Sequence, residues 1–449
     1  MSLVSEYLMM PQVREDYQDM YQTTESILNE ILQAISIFQE DTNKSINELS
    51  IISQRYNLEQ PHLDVLSDSK IFDYISEGLY QIPDKLPDFP IETALSLISR
   101  LLKKGNFLEK MFYNAHFLEI CISLLSFKDK KITERVCEML LAFNRFDGGL
   151  QMIIQSEITE NLVEFLSIDN FTIKRDSLFL IKDITPFIED DEALQQIAAQ
   201  IFKLVFKGQD CIRISAIMTL KTLCKQSASV CAYLVQYPSC IFSRSNTILN
   251  VAPENGRFTD HMIQMLTVIT RQIPDAITNE VIDSMPLTDL IQEFLVPNSQ
   301  IDKETRETQS FFMEFLQALL DLNSPHVMDL MFSVPLIEIL SDSLDIAPMI
   351  YKESIISFMH SVILLNHELV IPILLRNSNF EVLFADISCL KDETIIKVLK
   401  TIDYLVNLNN DYKVMLVDIN LEVELNNIIE NKDSNIVEYA ETILQLLAN

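Results

Sequence analysis

Apolar residues recur at helical spacing through most of the chain, and the pattern itself repeats. The stretch "KDETIIKVLKTIDYLV", which begins at Lys391, is matched 41 positions later by "KDSNIVEYAETILQLL", which begins at Lys432. In both stretches the apolar residues lie at i, i+4, i+7 and i+10, which is one face of a helix. These residues are Ile395, Leu399, Ile402 and Leu405 in the first stretch and Ile436, Ala440, Ile443 and Leu446 in the second. A self-match at a fixed period indicates a repeat protein.

The long-helix pattern also occurs earlier in the chain, and two shorter helical patterns precede it. Long-helix copies include "KKITERVCEMLLAF", "FTIKRDSLFLIKDI" and "CIRISAIMTLKTL". Medium copies include "FLEICISLLSF", "PLIEILSDSL" and "LEVELNNIIEN", and the shortest include "HVMDLMFS", "ELVIPILLRN" and "YKVMLVDI". The repeating unit is therefore predicted to be a short helix, a medium helix, a long helix and a polar turn. One unit alone could not bury its apolar faces, whereas stacked units can.

This three-helix unit resembles the armadillo repeat, whose period is roughly 40–47 residues. "FSVPLIEILSDSL" is similar to the start of the armadillo second helix, with Pro335 as its first-turn proline. The resemblance implies an all-α fold, a right-handed α-solenoid of about eight armadillo-like three-helix repeats. The chain departs from the family in having no Trp and no glycine between the first and second helices. Asn144 in "LLAFNRF" and Asn407 in "YLVNLN" match the Asn of the family's peptide groove and are candidate partner-binding residues.

Residues 1–60 differ from the rest of the chain and are predicted to form an N-terminal helical hairpin. Its first apolar stripe contains Val13, Tyr17, Ile27, Ile31, Ile35 and Phe38, and its second contains Ile46, Leu49, Ile52 and Tyr56. We expect the hairpin to cap a solenoid of residues 61–449, because repeat arrays need a polar-faced end. The chain is then a monomer. The alternative is a coiled-coil arm through residues 12–56 that makes a dimer.

Two polar stretches lengthen individual repeats. Residues 238–258 interrupt the central repeat, and residues 296–308 form a second insertion. Loops inserted into solenoids often lie on one binding face. We therefore expect these segments near the surface that contacts partners.

No motif in the sequence indicates catalysis. "HELVI" begins like a zinc-protease motif at His367, but Ile371 stands where the second His ligand is required. The densest cysteine group has separations of 13, 7 and 9 residues, which is not zinc-ligand spacing, and its members are Cys211, Cys224, Cys231 and Cys240. We expect them to be small buried core residues. The protein is predicted not to be an enzyme, with no catalytic residue, no cofactor and no metal.

The chain carries no recognisable targeting signal. Its start, "MSLVSEYLMMPQVREDY", lacks a basic segment, and its most apolar stretch, "MHSVILLNHELVIPILL", is interrupted by polar residues. We therefore expect neither a signal peptide nor a membrane span. The seven cysteines include no Cys-x-x-Cys pair and are typical of buried reduced thiols. These features predict a cytoplasmic protein, with a nuclear location also open.

Charge is distributed unevenly along the chain. The net charge of −31 should repel nucleic acids and anionic membrane surfaces, so we expect neither as a partner. Residues 211–257 nevertheless contain five basic residues and a single acid, Glu254, which gives 5 − 1 = +4. These cations either pair with neighbouring acids in the folded array or form a patch for an acidic partner segment. The second interpretation makes Lys221, Lys225, Arg244 and Arg257 candidate partner-binding residues.

A long solenoid surface favours a non-catalytic scaffold or adaptor that binds other proteins. Two stretches, "FDGGLQMIIQSEITENLVEFLSIDNFTIKRDSLFLI" and "LVFKGQDCIRISAIMTLKTL", resemble the family of the proteasome non-ATPase regulatory subunit five. That resemblance implies an assembly chaperone of the proteasome regulatory particle that binds a proteasome ATPase subunit. A regulatory subunit of a phosphatase, kinase or proton pump is an alternative. A nuclear transport adaptor is disfavoured, because residues 1–60 are acidic and there is no Trp.

Overall fold

The computed structural model is all-helical in the residues that it describes. These are residues 24–38, 40–85, 90–102, 117–125, 129–146, 148–156, 158–236, 240–246, 256–296, 303–344, 346–377 and 379–448. No β-strand occurs within these ranges. Val13 and Tyr17, which belong to the first N-terminal apolar stripe, lie outside the described residues.

The chain divides into two compact units, residues 1–180 and residues 181–449. The described helices of the first unit are α1 (Thr24–Ile37), α2 (Thr42–Arg55), α3 (Gln60–Asp68), α4 (Ile71–Lys85), α5 (Ile91–Leu102), α6 (Phe117–Leu125), α7 (Lys130–Phe143), α8 (Gly149–Gln155), α9 (Ile158–Phe165) and α10 (Phe171–Ile184), which crosses the division. Helix α1 packs against α2 and α3, and α2, α5 and α7 pack side by side in that order. The first unit is therefore built on a row of long helices.

The second unit has the same plan. Its described helices are α11 (Asp191–Lys207), α12 (Asp210–Gln226), α13 (Ala228–Val235), α14 (Gly256–Gln272), α15 (Asn279–Asp283), α16 (Leu287–Leu295), α17 (Lys303–Leu320), α18 (Pro325–Met331), α19 (Leu336–Ser343), α20 (Met349–Arg376), α21 (Phe380–Leu383), α22 (Asp392–Leu408), α23 (Asn410–Asp418), α24 (Leu421–Asn431) and α25 (Ser434–Ala448). The long helices α12, α14, α17, α20, α22 and α25 each pack against the next one in the series. The shorter helices lie between them in sequence, for example α18 and α19 before α20 and α23 and α24 before α25.

The apolar positions of the repeat form the core, as their spacing predicts. Ile395, Leu399, Ile402 and Leu405 of α22 are all fully buried. Their counterparts Ile436, Ala440 and Ile443 in α25 are buried as well, and Leu446 is half-buried. Together with the stacking of the long helices, this confirms the prediction of an all-α solenoid of three-helix, armadillo-like repeats.

Helix α20 joins the last helix of one repeat to the first helix of the next. Asn366 has φ −154° and ψ 79°, which breaks the helix into two parts, and Pro372 lies in the second part. By length and composition α20 is the one helix in the described part of the chain that could cross a membrane, with a mean hydropathy of 1.7. The break leaves two segments that are each shorter than the roughly 20 residues that a transmembrane helix needs.

Several local predictions are corrected by the structure. The insertion at 296–308 is shorter than predicted, because α17 already begins at Lys303. Helix α14 likewise begins at Gly256, inside the predicted insertion at 238–258. Cys211 and Cys389 are exposed, so the expectation of buried thiols is wrong for these two and right for the other five, which are Cys121, Cys137, Cys224, Cys231 and Cys240. Surface positions on helices tolerate a small thiol at little cost, so spacing alone did not separate the two groups.

Candidate protein-binding site

The long helices of the second unit share one surface that their neighbours leave uncovered. Each long helix packs against the long helices before and after it and against the short helices of its own repeat, which leaves one stripe open. We call this stripe, taken over α12, α14, α17, the first part of α20 and α22, the long-helix face. Its exposed and half-buried residues include Ile214, Met218, Lys221 and Lys225 on α12, Arg257, His261, Gln264, Val268 and Arg271 on α14, Glu307, Phe311, Glu314 and Gln317 on α17, Ser354, Ser357, Ser361 and Leu365 on α20, and Glu393, Ile396, Lys397, Lys400 and Tyr404 on α22.

Lys221 is held in place between α12 and α14. Its Nζ lies 2.6 Å from Oε1 of Gln264 and donates a hydrogen bond to it. The same Nζ lies 3.2 Å from Nδ1 of His261. The lysine side chain is half-buried, so these two partners fix the ammonium group in one position on the face.

Positive charges crowd around Lys221. Burial lowers the pKa of Lys221 to about 8, and the charges of Lys225 and Lys182 act in the same direction, while Asp260 opposes them. Burial also lowers the pKa of His261 to about 4, with Lys221 as the next cause. At neutral pH His261 is therefore neutral, and its Nδ1 accepts the hydrogen bond from Lys221.

Arg257, one helical turn before His261, also lowers the pKa of that imidazole. Lys182 contributes in the same sense. We call Lys182, Lys221, Lys225, Arg257, His261 and Gln264 the Lys221 cluster. Its lysines destabilise one another in the charged form, which is the condition under which an added anion binds favourably.

A second polar network joins α17, α20 and α22. Oε1 of Gln317 accepts hydrogen bonds from Oγ of Ser361 at 3.0 Å and from Nζ of Lys397 at 3.3 Å. Nζ of Lys397 also donates to Oγ of Ser357 at 2.9 Å, and Nε2 of Gln317 donates to Oδ1 of Asp321 at 2.7 Å. Burial lowers the pKa of Lys397. The long lysine side chain thus ties three consecutive repeats together across the face.

An open cavity of about 350 Å³ lies beside this network. Its apolar wall is made by Leu320, Leu364, Leu365 and Ile396. Charged side chains of both signs surround that wall, namely Asp321, Glu393, Lys397 and Lys400. Leu365 is 44% exposed and Ile396 is 37% exposed, so two of the four apolar side chains face solvent to a substantial extent. Their position beside ordered polar groups is typical of a surface that contacts another molecule.

The Lys221 cluster and the cavity are connected through α14. Helix α14 packs against α17, whose last residue, Leu320, lines the cavity, and the charge of Arg271 at the C-terminal end of α14 contributes to the lowered pKa of Lys397. His261, in the Lys221 cluster, lies ten residues earlier on the same helix, which corresponds to about 15 Å at 1.5 Å per residue. Both features therefore belong to one continuous stretch of the long-helix face.

The structure brings three of the four basic candidates together. Lys221, Lys225 and Arg257 all belong to the Lys221 cluster. Arg244 is exposed in a short 3-10 helix, Phe242–Arg244, which packs against α15. Arg244 therefore lies on a separate short element, whereas the other three candidates lie on α12 and α14.

The two asparagine candidates occupy different positions. Asn144 is the C-cap of α7 in the first unit, and its backbone N–H bonds to the carbonyl oxygens of Ala142 and Leu140. Asn407 lies at the exposed end of α22, where its Nδ2 donates to Asp403 of the same helix at 2.9 Å. Asn407 thus lies at the C-terminal end of the long-helix face on α22, while Asn144 caps a helix.

Sequence reasoning missed the cavity and its network. Gln317, Ser361 and Lys397 are polar residues on helices that are otherwise rich in apolar residues, and they follow one another at spacings of 44 and 36. Aligning the repeats and asking which polar residues share a register would have identified them. Within the described part of the chain, no group of three or more His, Cys, Asp or Glu residues is arranged to hold a metal ion.

The solved structure of one engineered protein supports the fold. No protein-family model and no curated protein matches the sequence. Among solved structures, an engineered protein from a structural genomics consortium is similar, with a TM-score of 0.66 and 14% identity, over 94% of this chain and 99% of that chain. A designed armadillo repeat protein, solved in complex with the peptide (KR)4, matches 55% of this chain and 98% of its own, with a TM-score of 0.41 and 14% identity. At this identity the first likeness shows the fold alone, and the class that the structure defines is an α-solenoid.

Proposed function

We propose that the protein is a non-catalytic scaffold that binds segments of other proteins on the long-helix face of its second unit. The observation that carries the proposal is the cavity shared by α17, α20 and α22, where Leu365 and Ile396 remain partly exposed beside Lys397 and Lys400. Burying apolar side chains against a partner is favourable by about 25 cal/mol per Å². Exposed apolar residues that are surrounded by polar groups are a common composition for an interface.

The polar groups of the face support the same function. Lys221 and Lys397 are both held by side-chain amide oxygens, of Gln264 and Gln317 respectively. Side chains that are already ordered lose less conformational entropy when a partner binds. The polar side chains of the face are therefore already ordered for contacts with a partner. The apolar wall of the cavity offers surface that a partner can bury.

The test is affinity capture from the native cells with the full-length chain and with the double variant Leu365→Asp/Ile396→Asp. The matched control is Val423→Asp, because Val423 is 59% exposed on α24, outside the long-helix face. We expect the double variant, with its fold verified by circular dichroism, to lose partners that the wild type and the control retain. Equal recovery of every partner by all three proteins would contradict the proposal.

A narrower hypothesis rests on the sequence resemblance to the proteasome regulatory-subunit family. It makes the protein a cytoplasmic assembly chaperone of the proteasome regulatory particle, with an ATPase subunit as its partner. Recovery of proteasome ATPase subunits without the proteolytic core in the same capture would support it. Recovery of a kinase, a phosphatase, a proton-pump subunit or transport cargo in their place would replace it with the corresponding alternative, while the scaffold proposal stands.

A further inference from the structure

The Lys221 cluster has more positive than negative charge. No ion pair between described residues involves Lys182, Lys221 or Lys225. Asp260 is the acid that favours the charged form of Lys221. Lys221 and Lys225 lie one turn apart on α12 and can therefore each donate to a carboxylate, and the charge of Lys182 on α10 acts on Lys221 as well. Hydrogen bonds between an ammonium and a carboxylate are about twice as strong as neutral ones.

The cavity has the opposite character. Its two acids, Asp321 and Glu393, balance its two lysines, Lys397 and Lys400, so the charges within its lining cancel. The acids also favour the charged form of Lys397. What remains without a partner is the apolar wall, which a large aliphatic side chain would cover. The cavity therefore selects an uncharged anchor residue.

Helix α17 lies between these two places and is acidic on its open stripe. Glu307 and Glu314 are both exposed there, and Asp321 follows the end of the helix. A segment that crosses from the Lys221 cluster to the cavity passes these carboxylates. Its intervening residues are therefore expected to be neutral or basic. A nucleic acid strand does not fit this order, because its charge is uniformly negative and it has no aliphatic anchor.

The helix spacing sets the distance between the two anchors. Adjacent packed helices lie about 8–10 Å apart. The Lys221 cluster lies between α12 and α14, and the cavity is centred on α20, two and a half helices further along the stack. The lateral separation is therefore about 20–25 Å, and the offset of about 15 Å along the helix axis makes the full separation about 25–30 Å. An extended chain covers that distance in about 8–9 residues at roughly 3.3 Å each.

We propose that the partner of this face is an extended protein segment with two anchors. Carboxylate side chains at one end bind Lys221 and Lys225. A large aliphatic residue about 8–9 positions away fills the cavity beside Leu365 and Ile396. The residues between the anchors are neutral or basic where they pass α17. This proposal depends on the proposed scaffold function and specifies the chemistry of the segment that the scaffold recognises.

The test is a selection of random 16-residue peptides displayed on phage, with the full-length chain as bait. Enriched peptides are then synthesised, and their affinity is measured by fluorescence anisotropy. One test variant is Lys221→Glu/Lys225→Glu, with Lys203→Glu/Lys207→Glu as its control. The control pair is likewise four residues apart, but both of its lysines are exposed and lie on α11. The other test variant is Leu365→Asp/Ile396→Asp, with Val423→Asp as its control.

The expected result is that enriched peptides carry acidic residues and a large aliphatic residue at the stated spacing. Each test variant should weaken their binding at least tenfold, while the controls stay within twofold of wild type. Some peptides could be bound more weakly by both test variants and yet lack acidic residues or the stated spacing between the anchors. Such peptides would overturn the two-anchor proposal and leave the scaffold proposal intact. Peptides that are indifferent to all variants, or no enrichment at all, would overturn both.

Discussion

Oε1 of Gln317 accepts a hydrogen bond from Nζ of Lys397, a residue 80 positions later in the chain, at 3.3 Å. The two residues belong to helices that are two steps apart in the stack, α17 and α22, with α20 between them. Most contacts in a solenoid join neighbouring repeats, which makes stability a sum of local terms. A bond that skips a repeat couples three repeats at the place where the cavity opens.

Removal of this bond should destabilise the second unit. In Gln317→Leu the half-buried ammonium of Lys397 and the hydroxyl of Ser361 lose their shared acceptor, and the free energy of unfolding should fall by about 1–3 kcal/mol. The double variant Gln317→Leu/Lys397→Met should lose less stability than the sum of the losses in its two single variants, because the second substitution removes the ammonium that the first leaves without its acceptor. Urea unfolding of the four proteins in this cycle measures the coupling.

The chain offers an exposed counterpart as a control for this cycle. Lys203 donates to Oε1 of Gln200 at 3.2 Å on the surface of α11. Gln200→Leu should change the free energy of unfolding by less than about 0.5 kcal/mol, because water replaces the lost acceptor. If the changes in the free energy of unfolding caused by the single variants at Gln317 and Lys397 simply added up in the double variant, the hydrogen bond between these residues would contribute nothing to stability.

The lysine at the centre of the Lys221 cluster should titrate near pH 8 in the free protein. In an unfolded chain the pKa of lysine is about 10.4. Between pH 8 and that value the unfolded state binds a proton at Lys221 that the folded state does not, so the free energy of unfolding increases as pH rises. Bound carboxylates favour the ammonium form, so hexaglutamate at low salt should raise the midpoint. Carbon NMR of the reductively methylated protein follows this titration, with Lys221→Arg to assign the resonance. A midpoint near 10 in the free protein, or one that hexaglutamate leaves unchanged, would contradict the prediction.

A buried histidine in α20 should make the protein sensitive to acid. His360 is fully buried, its Nε2 donates to the carbonyl oxygen of Leu383 at 3.3 Å, and burial lowers its pKa to about 3. In an unfolded chain the pKa is about 6.5, so below that pH the unfolded state binds a proton that the folded state does not. This histidine therefore removes up to about 1.4 kcal/mol of stability per pH unit as pH falls from 6.5 toward 3.

The variant His360→Leu isolates this contribution. Its free energy of unfolding should depend less steeply on pH than that of the wild type between pH 6 and pH 5, as measured by urea unfolding at each pH. His326→Leu, at a partly exposed site on α18, is the control for the loss of an imidazole. If the free energy of unfolding of His360→Leu depended on pH as steeply as that of the wild type, the imidazole of His360 would not be held in its neutral form.

The sequence predicted the stack more completely than the site, for a physical reason. Burial of residues such as Ile395 follows from the apolar periodicity of a single helix, and that periodicity can be read from the sequence. The stripe that joins Lys221 to Lys225 is also local, since the two are one turn apart. The bond between Gln317 and Lys397 depends on how helices from different repeats are placed, and the charge of Lys182 acts on Lys221 from outside the predicted basic stretch. These relationships need the distances between helices, which the periodicity of one helix does not determine.

Glu314, on the part of the face between the two anchors, provides a test of the order of charges. An acidic segment bound to the Lys221 cluster is repelled by this exposed carboxylate as it passes α17. Glu314→Lys should therefore strengthen the binding of an acidic peptide such as hexaglutamate by about two- to fivefold at low salt, the range expected for one exposed charge. Glu293→Lys, on α16, makes the same charge change away from the face and should have a smaller effect. Fluorescence anisotropy measures both. Weaker binding in Glu314→Lys than in the control would mean that acidic peptides do not pass over α17, and the charge order of the proposed segment would then be wrong.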